Sequence, residues 1–174
     1  MNQESRTFSR VKTRLKMYFR PTSKDARPLF LGCVGCESQS TGFEDFHSPH
    51  LPKEFFDFLL NLDNKLNMIL NFLSQKTLSQ EYPYQGEVIE ISGAGFKFIS
   101  STPVKVGDFI EAAVALSSVP PVLIGVVGEV IREEIIHDQK IYAFKYVHIR
   151  ESDREQIVQF VFKEQREILR EQRL

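Results

Sequence analysis

The sequence predicts a mainly β chain with added α structure. It reads as an antiparallel barrel or sandwich with one long inserted helix and an amphipathic helix at its end. Three observations predict this. Between residues 81 and 150, short apolar runs recur about every 10–12 residues with tight-turn residues between them. Ahead of them, Phe55, Leu59, Leu62, Leu66, Ile69 and Leu73 follow a heptad spacing. After them, Ile157, Val158, Val161, Phe162, Ile168 and Leu169 form an apolar stripe on a segment otherwise filled by Glu, Gln and Arg.

The elements follow in order. Val11, Thr13, Leu15, Met17 and Phe19 alternate with Lys12, Arg14, Lys16, Tyr18 and Arg20, the period of a half-buried strand, and Pro21 is expected to end it. Residues 22–28 read as loop. Leu29 to Val34 could form a second short strand, and Gly35 to Pro49 is polar loop. Pro52 suits a first helical turn, and a helix over about 52–76 is expected. Phe56, Phe58, Leu60, Leu70 and Phe72 widen its apolar surface beyond a strict seam. That pattern fits an internal core helix and a homo-oligomer contact equally well.

Strands are then expected at Glu87–Ile91, Gly95–Ile99, Phe109–Leu116, Leu123–Ile131 and Ile141–Ile149. Turns are marked by Ser92-Gly93-Ala94-Gly95, Val106-Gly107-Asp108, Pro120-Pro121 and His137-Asp138-Gln139-Lys140. Ser152-Asp153-Arg154-Glu155 has the spacing of a capping box and opens the last helix.

With 174 residues and 42% hydrophobic side chains, the chain suits one domain with a core of ordinary size. No apolar run approaches the roughly 18 residues of a membrane span. MNQESRTFSR has no apolar core of a secretory signal, and two Cys suit reduced thiols, so a cytoplasmic protein is expected. The net charge of −1 argues against a partner with a long phosphate track, DNA or RNA. That total hides a split, since residues 1–20 carry +5 and the remainder −6.

Two short motifs stand out. Arg6-Thr7-Phe8-Ser9-Arg10 places two guanidiniums four residues apart in the arm that enters the first strand. Glu90-Ile91-Ser92-Gly93-Ala94-Gly95 sits at a turn between strands. Each alone is common. Together, in a small antiparallel β chain with a C-terminal helix, they resemble the PilZ domain family, the bacterial receptors for cyclic di-GMP. The resemblance covers residues 5–20 and roughly 84–170. Arg6 and Arg10 match the family's R-x-x-x-R, and Ser92 and Gly95 match its D/N-x-S-x-x-G, with Glu90 where the family has Asp or Asn. Ser5 stands where many relatives carry another arginine.

The resemblance implies a six-stranded antiparallel barrel in a single domain over 1–174. It also implies a flexible arginine arm over 1–10, an insertion over 31–80, and barrel strands with the C-terminal helix over 84–174. It implies cyclic di-GMP as ligand, with Arg6, Arg10, Glu90, Ser92 and Gly95 as the binding residues. The chemistry suits that ligand. A guanidinium forks onto phosphate or onto the guanine O6/N7 edge and stacks on a base. A carboxylate accepts from guanine N–H groups, Ser92 offers a hydroxyl, and Gly95 permits close backbone approach. Ordering of the arm would then be the signal, in motility, biofilm or polysaccharide control. Some relatives with an added helix assemble through it, which adds an oligomer through 52–76. A degenerate adaptor that binds no nucleotide is the alternative.

Cys33-x-x-Cys36 and His47-x-x-His50 could supply four zinc ligands. Their His spacing and 10-residue intervening loop are short of the common pattern, and free thiols with surface histidines explain them as well. No nucleophile elbow or P-loop is present, and no enzyme or cofactor is expected.

Overall fold

The computed structural model describes residues 8–28, 52–118 and 121–172. Its elements are β1 (Arg10–Pro21), α1 (Lys53–Glu81), β2 (Tyr84–Ser92), β3 (Gly95–Ser100), β4 (Phe109–Ser118), β5 (Pro121–Ile136), β6 (Gln139–Ile149) and α2 (Glu151–Glu171). The strands close a six-stranded antiparallel barrel in the order β1-β2-β3-β6-β5-β4. Closure removes the sheet edges that an open sheet of these short strands would expose.

The period-2 pattern of β1 turns Val11, Met17 and Phe19 inward, where they join Val88, Ile91, Phe96, Phe98, Ile124, Val126, Tyr142 and Phe144. Phe96 stacks on Phe144 at 4.6 Å between ring centroids and meets Phe98 edge-on at 5.9 Å. Ile157 and Val161 of α2 reach into the same core, which explains the apolar stripe of that helix.

Several boundaries differ from the sequence reading. β1 begins at Arg10 and includes Pro21, which pairs with Ile110 at the end of the strand, where a missing N–H is tolerated. Pro121 is likewise the first residue of β5 rather than part of a turn. β5 runs five residues past the expected Ile131, because it keeps pairing with β6, the last part from Glu134 to Ile136 as a two-stranded ribbon beyond β3. His137 and Asp138 close that ribbon at φ 50° and 61°, the left-handed pair a tight hairpin requires. The capping box at Ser152 is not formed. Arg150 is the N-cap of α2, and no side chain caps the helix. Asp153 is instead buried and accepts the backbone N–H of Gly125 on β5, and burial raises its pKa. The short strand expected at Leu29–Val34 and the loop at Gly35–Pro49 lie outside the described residues.

α1 starts with Pro52 as its N-cap, one residue before a first-turn position, and runs to Glu81 rather than 76. Its heptad seam is not internal. In the single chain Leu66 is 51% and Ile69 56% exposed, and Phe72 beside the seam is 72% exposed. The core-helix reading is therefore corrected. Among the described side chains of α1 only Leu78 is buried, together with the C-cap Tyr82, against Ala113, Tyr18 and Leu123 on the outside of the barrel. Glu111, 2% exposed, fixes this attachment. Its Oε1 accepts from the Tyr82 hydroxyl at 3.0 Å, and its Oε2 accepts from Arg20 Nε at 3.0 Å and Nη2 at 2.8 Å. Arg20 also reaches Glu81 at 3.3 Å and lies 5.0 Å from the centre of the Tyr82 ring. Among the described residues, no helix is long and apolar enough to cross a membrane.

Candidate ligand site at the β2–β3 turn

Arg10 of the first sequence motif meets the second motif at one end of the barrel. β2 ends at Ser92 and β3 begins at Gly95, so Gly93 and Ala94 form the turn. Arg10, the first residue of β1, lies opposite Ser92 in the β1–β2 register, although 81 residues separate them along the chain. Arg10, Glu90, Ser92 and Gly95 are thus brought together. Arg6 lies outside the described residues, as do Cys33, Cys36, His47 and His50.

The turn is built around the Ser92 hydroxyl. Oγ donates to the carbonyl of Gly95 at 3.0 Å and accepts the N–H of Ala94 at 3.3 Å. This local side-chain to backbone bonding is what a Ser at a strand end offers a tight turn. Gly95 is required by a close approach. A Cβ there would run into the carbonyl oxygen of Phe144 on β6. β6 also supplies Tyr146. Its backbone N–H donates to Ala94 O at 3.1 Å, and its hydroxyl to Ser92 O at 3.2 Å. Burial holds that phenol well above its ordinary pKa, so it stays a donor through the neutral range.

Glu90 stands among cations. Its Oε1 is 3.6 Å from Arg10 Nη1, and its cross-strand neighbours are Lys12 on β1 and Lys97 on β3. The Arg10 side chain is about half exposed, at 49%. α2 braces the same corner. Arg154 Nη1 donates to Gly93 O at 2.9 Å, and Gln165 Nε2 donates to Arg10 O at 3.0 Å. Phe8 packs on the open face of Gly93. The arm expected to be flexible over 1–10 is therefore held at residues 8–10.

Phe8, Tyr146, Arg154 and Gln165 were not singled out for the site from sequence. Phe8 had a signal, because it lies inside the arginine motif. The other three act on backbone carbonyls, a role that carries no residue pattern.

An antiparallel barrel that presents an arginine and a glycine-bounded turn at one end, braced from outside by a helix, has the form of a small binding domain. A protein-family model for the PilZ domain matches residues 71–163, and the chain belongs to that family of cyclic di-GMP receptors. The matched range takes in Glu90, Ser92 and Gly95 but not Arg6 or Arg10. Seven chains of solved structures match. One is the Bacillus subtilis inhibitor of motility MotI/DgrA, at 11% identity and TM-score 0.52, covering 93% of this chain and 52% of that one. The chain thus spans about half the length of MotI/DgrA. Another is a Xanthomonas campestris protein described as a tetrameric PilZ domain self-assembled through a helical bundle. It is 17% identical with TM-score 0.58, covering 92% of this chain and 89% of that one. No curated protein matched the sequence.

Proposed function

We propose that this protein binds cyclic di-GMP at the β2–β3 turn, with Arg6 and Arg10 clamping phosphate and guanine and with Glu90, Ser92 and Gly95 lining the guanine site. The observation that carries this reading is the register of Arg10 opposite Ser92, which joins a forked cation to a backbone-rich turn. Lys12 and Lys97 flank Glu90, so the field at this corner suits a ligand with two phosphodiester charges. Binding orders the arm and changes how the chains sit in a homo-oligomer built on α1. The protein works in the cytoplasm without a cofactor, in motility, biofilm or polysaccharide control.

Calorimetric titration of cyclic di-GMP tests this. The wild type gives saturable heat, and Arg10→Ala weakens binding by about tenfold to a hundredfold, the value of one charge-assisted hydrogen-bonded contact. Absence of heat for the wild type defeats the nucleotide reading.

A second reading is an adaptor that binds no nucleotide. The 3.6 Å approach of Glu90 to Arg10 and the internal bonding of the Ser92 hydroxyl favour it, because a ligand has to compete for both groups. It predicts partner binding that is the same with and without cyclic di-GMP.

A further inference from the structure

The contact between Phe8 and Gly93 is not explained by the ligand motifs themselves. Gly93 occupies a position that the motif leaves open. Its backbone is not in the left-handed region, which among the described glycines is adopted at Gly107, so conformation alone does not ask for glycine there. What excludes a side chain is the aromatic ring. A Cβ on Gly93 would come 2.5 Å from Phe8 Cδ1, 2.8 Å from Cε1 and 3.1 Å from Cγ, so the ring fills the space a side chain would need. The same residue is also held by Arg154, through the 2.9 Å bond to its carbonyl. Gly93 is held between the amino-terminal arm and α2.

Phe8 is also placed midway between the two arginines of the arm. Two residues of fully extended chain span about 7 Å, so fixing Phe8 limits how far Arg6 can stray from the turn. Arg10, two residues the other way, is fixed by β1 pairing and by the Gln165 bond to its carbonyl. An arm already fixed at Phe8 loses less conformational entropy when a ligand binds, and the ligand then binds with a smaller penalty.

We propose that Phe8 is a positioning residue of this site. Packed on Gly93, it tethers the arm to the β2–β3 turn independently of any ligand and keeps both arginines within reach of the turn. Gly93 is its receptor surface, small because the ring must rest on the backbone. The role in ligand binding rests on the nucleotide reading above, whereas the tether itself does not.

The test has two arms. Trypsin cleavage after Arg6 needs several residues on each side of the bond to be free, Phe8 among them. Without nucleotide, Phe8→Ala and Gly93→Ala are cleaved about tenfold faster than the wild type, and Phe8→Tyr restores the wild-type rate by restoring the ring. Thermal unfolding of the barrel is unchanged in the Phe8 variants. In cyclic di-GMP titrations, Phe8→Ala binds about tenfold more weakly, and Phe8→Tyr matches the wild type. Equal cleavage rates for the wild type, Phe8→Ala and Gly93→Ala overturn the tether. Faster cleavage with unchanged affinity in Phe8→Ala overturns its positioning role. Faster cleavage with no heat from the wild type establishes the tether and defeats the nucleotide reading instead.

Discussion

Ser92 shows how one hydroxyl shapes the turn. It bonds forward to Gly95 O and receives Ala94 N–H, while its own carbonyl takes the Tyr146 hydroxyl. Removing the Tyr146 hydroxyl leaves that buried carbonyl short of a donor. Tyr146→Phe is expected to cost about 1–2 kcal/mol in urea unfolding and to loosen the turn without altering the core. Gly95→Ala is more severe, because a methyl meets backbone rather than a movable side chain, and a loss of about 2–3 kcal/mol is expected in the same measurement. Asp153 gives a pH signature. Burial raises its folded pKa above the unfolded value, and the Gly125 N–H and Arg150 only partly offset this. The native state therefore holds the proton more tightly, so the stability contribution is complete below about pH 4 and is lost as pH rises through the folded value. Asp153→Asn keeps an acceptor for Gly125 and removes the buried charge. Its stability should equal or exceed that of the wild type at pH 7 and converge with it below about pH 4. A wild-type advantage that grows with pH would falsify this.

At the scale of elements, α1 is tied to the barrel by a compact polar joint rather than by a broad apolar face. Arg20 and Glu111 lie directly opposite each other across β1 and β4, and Tyr82 closes the joint from the end of the helix. A buried carboxylate with both neighbours in place is tolerated, but stripping it leaves a cation and a phenol without it. Glu111→Ala is expected to destabilise the chain by about 2–4 kcal/mol, and Tyr82→Phe by about 1–2 kcal/mol, both read by denaturant unfolding. This joint was not legible in the sequence. Arg20, Tyr82 and Glu111 belong to three elements, and nothing in their local patterns distinguishes them from solvated charges. What was legible follows from periodicity. The alternation of Val11 to Phe19, the heptad of Phe55 to Leu73 and the His137-Asp138 turn each reflect a local rule that the fold keeps. Boundaries failed where tertiary contacts decided them. β5 outran its pattern because β6 kept pairing with it, and the capping box expected at Ser152 gave way to an N-cap at Arg150, with Asp153 taking the N–H of Gly125. Of the candidate site, the turn residues and Arg10 were legible as motif. The carbonyl contacts of Arg154 and Gln165 were not.

For the whole molecule, the near-neutral charge conceals two contrasting surfaces. One is the basic start of β1, where Arg10 meets the β2–β3 turn and α2. The other is α1, whose 29 residues extend about 44 Å and expose a continuous apolar stripe. A single helix of that length with its seam in water gains little from its own propensities, so the stripe argues for burial between chains. Its width bears on how many chains. Leu59, Leu66 and Leu73 occupy one seam position and Phe55, Leu62 and Ile69 the other, while Phe58 and Phe72 add apolar surface on the flank. A two-stranded seam would leave those phenylalanines wet, and a bundle of more than two strands would cover them. Light scattering of the wild type is therefore expected to give a mass well above the 20.1 kDa single chain, with four chains the first arrangement to compare. Leu66→Asp places a charge in the middle of the seam and should reduce the particle to one chain. Because Leu66 does not touch the barrel core, the thermal transition of the barrel should stay within a few degrees of wild type. A monomeric wild type across the micromolar range, or a Leu66→Asp protein of unchanged mass, would rule out assembly through α1.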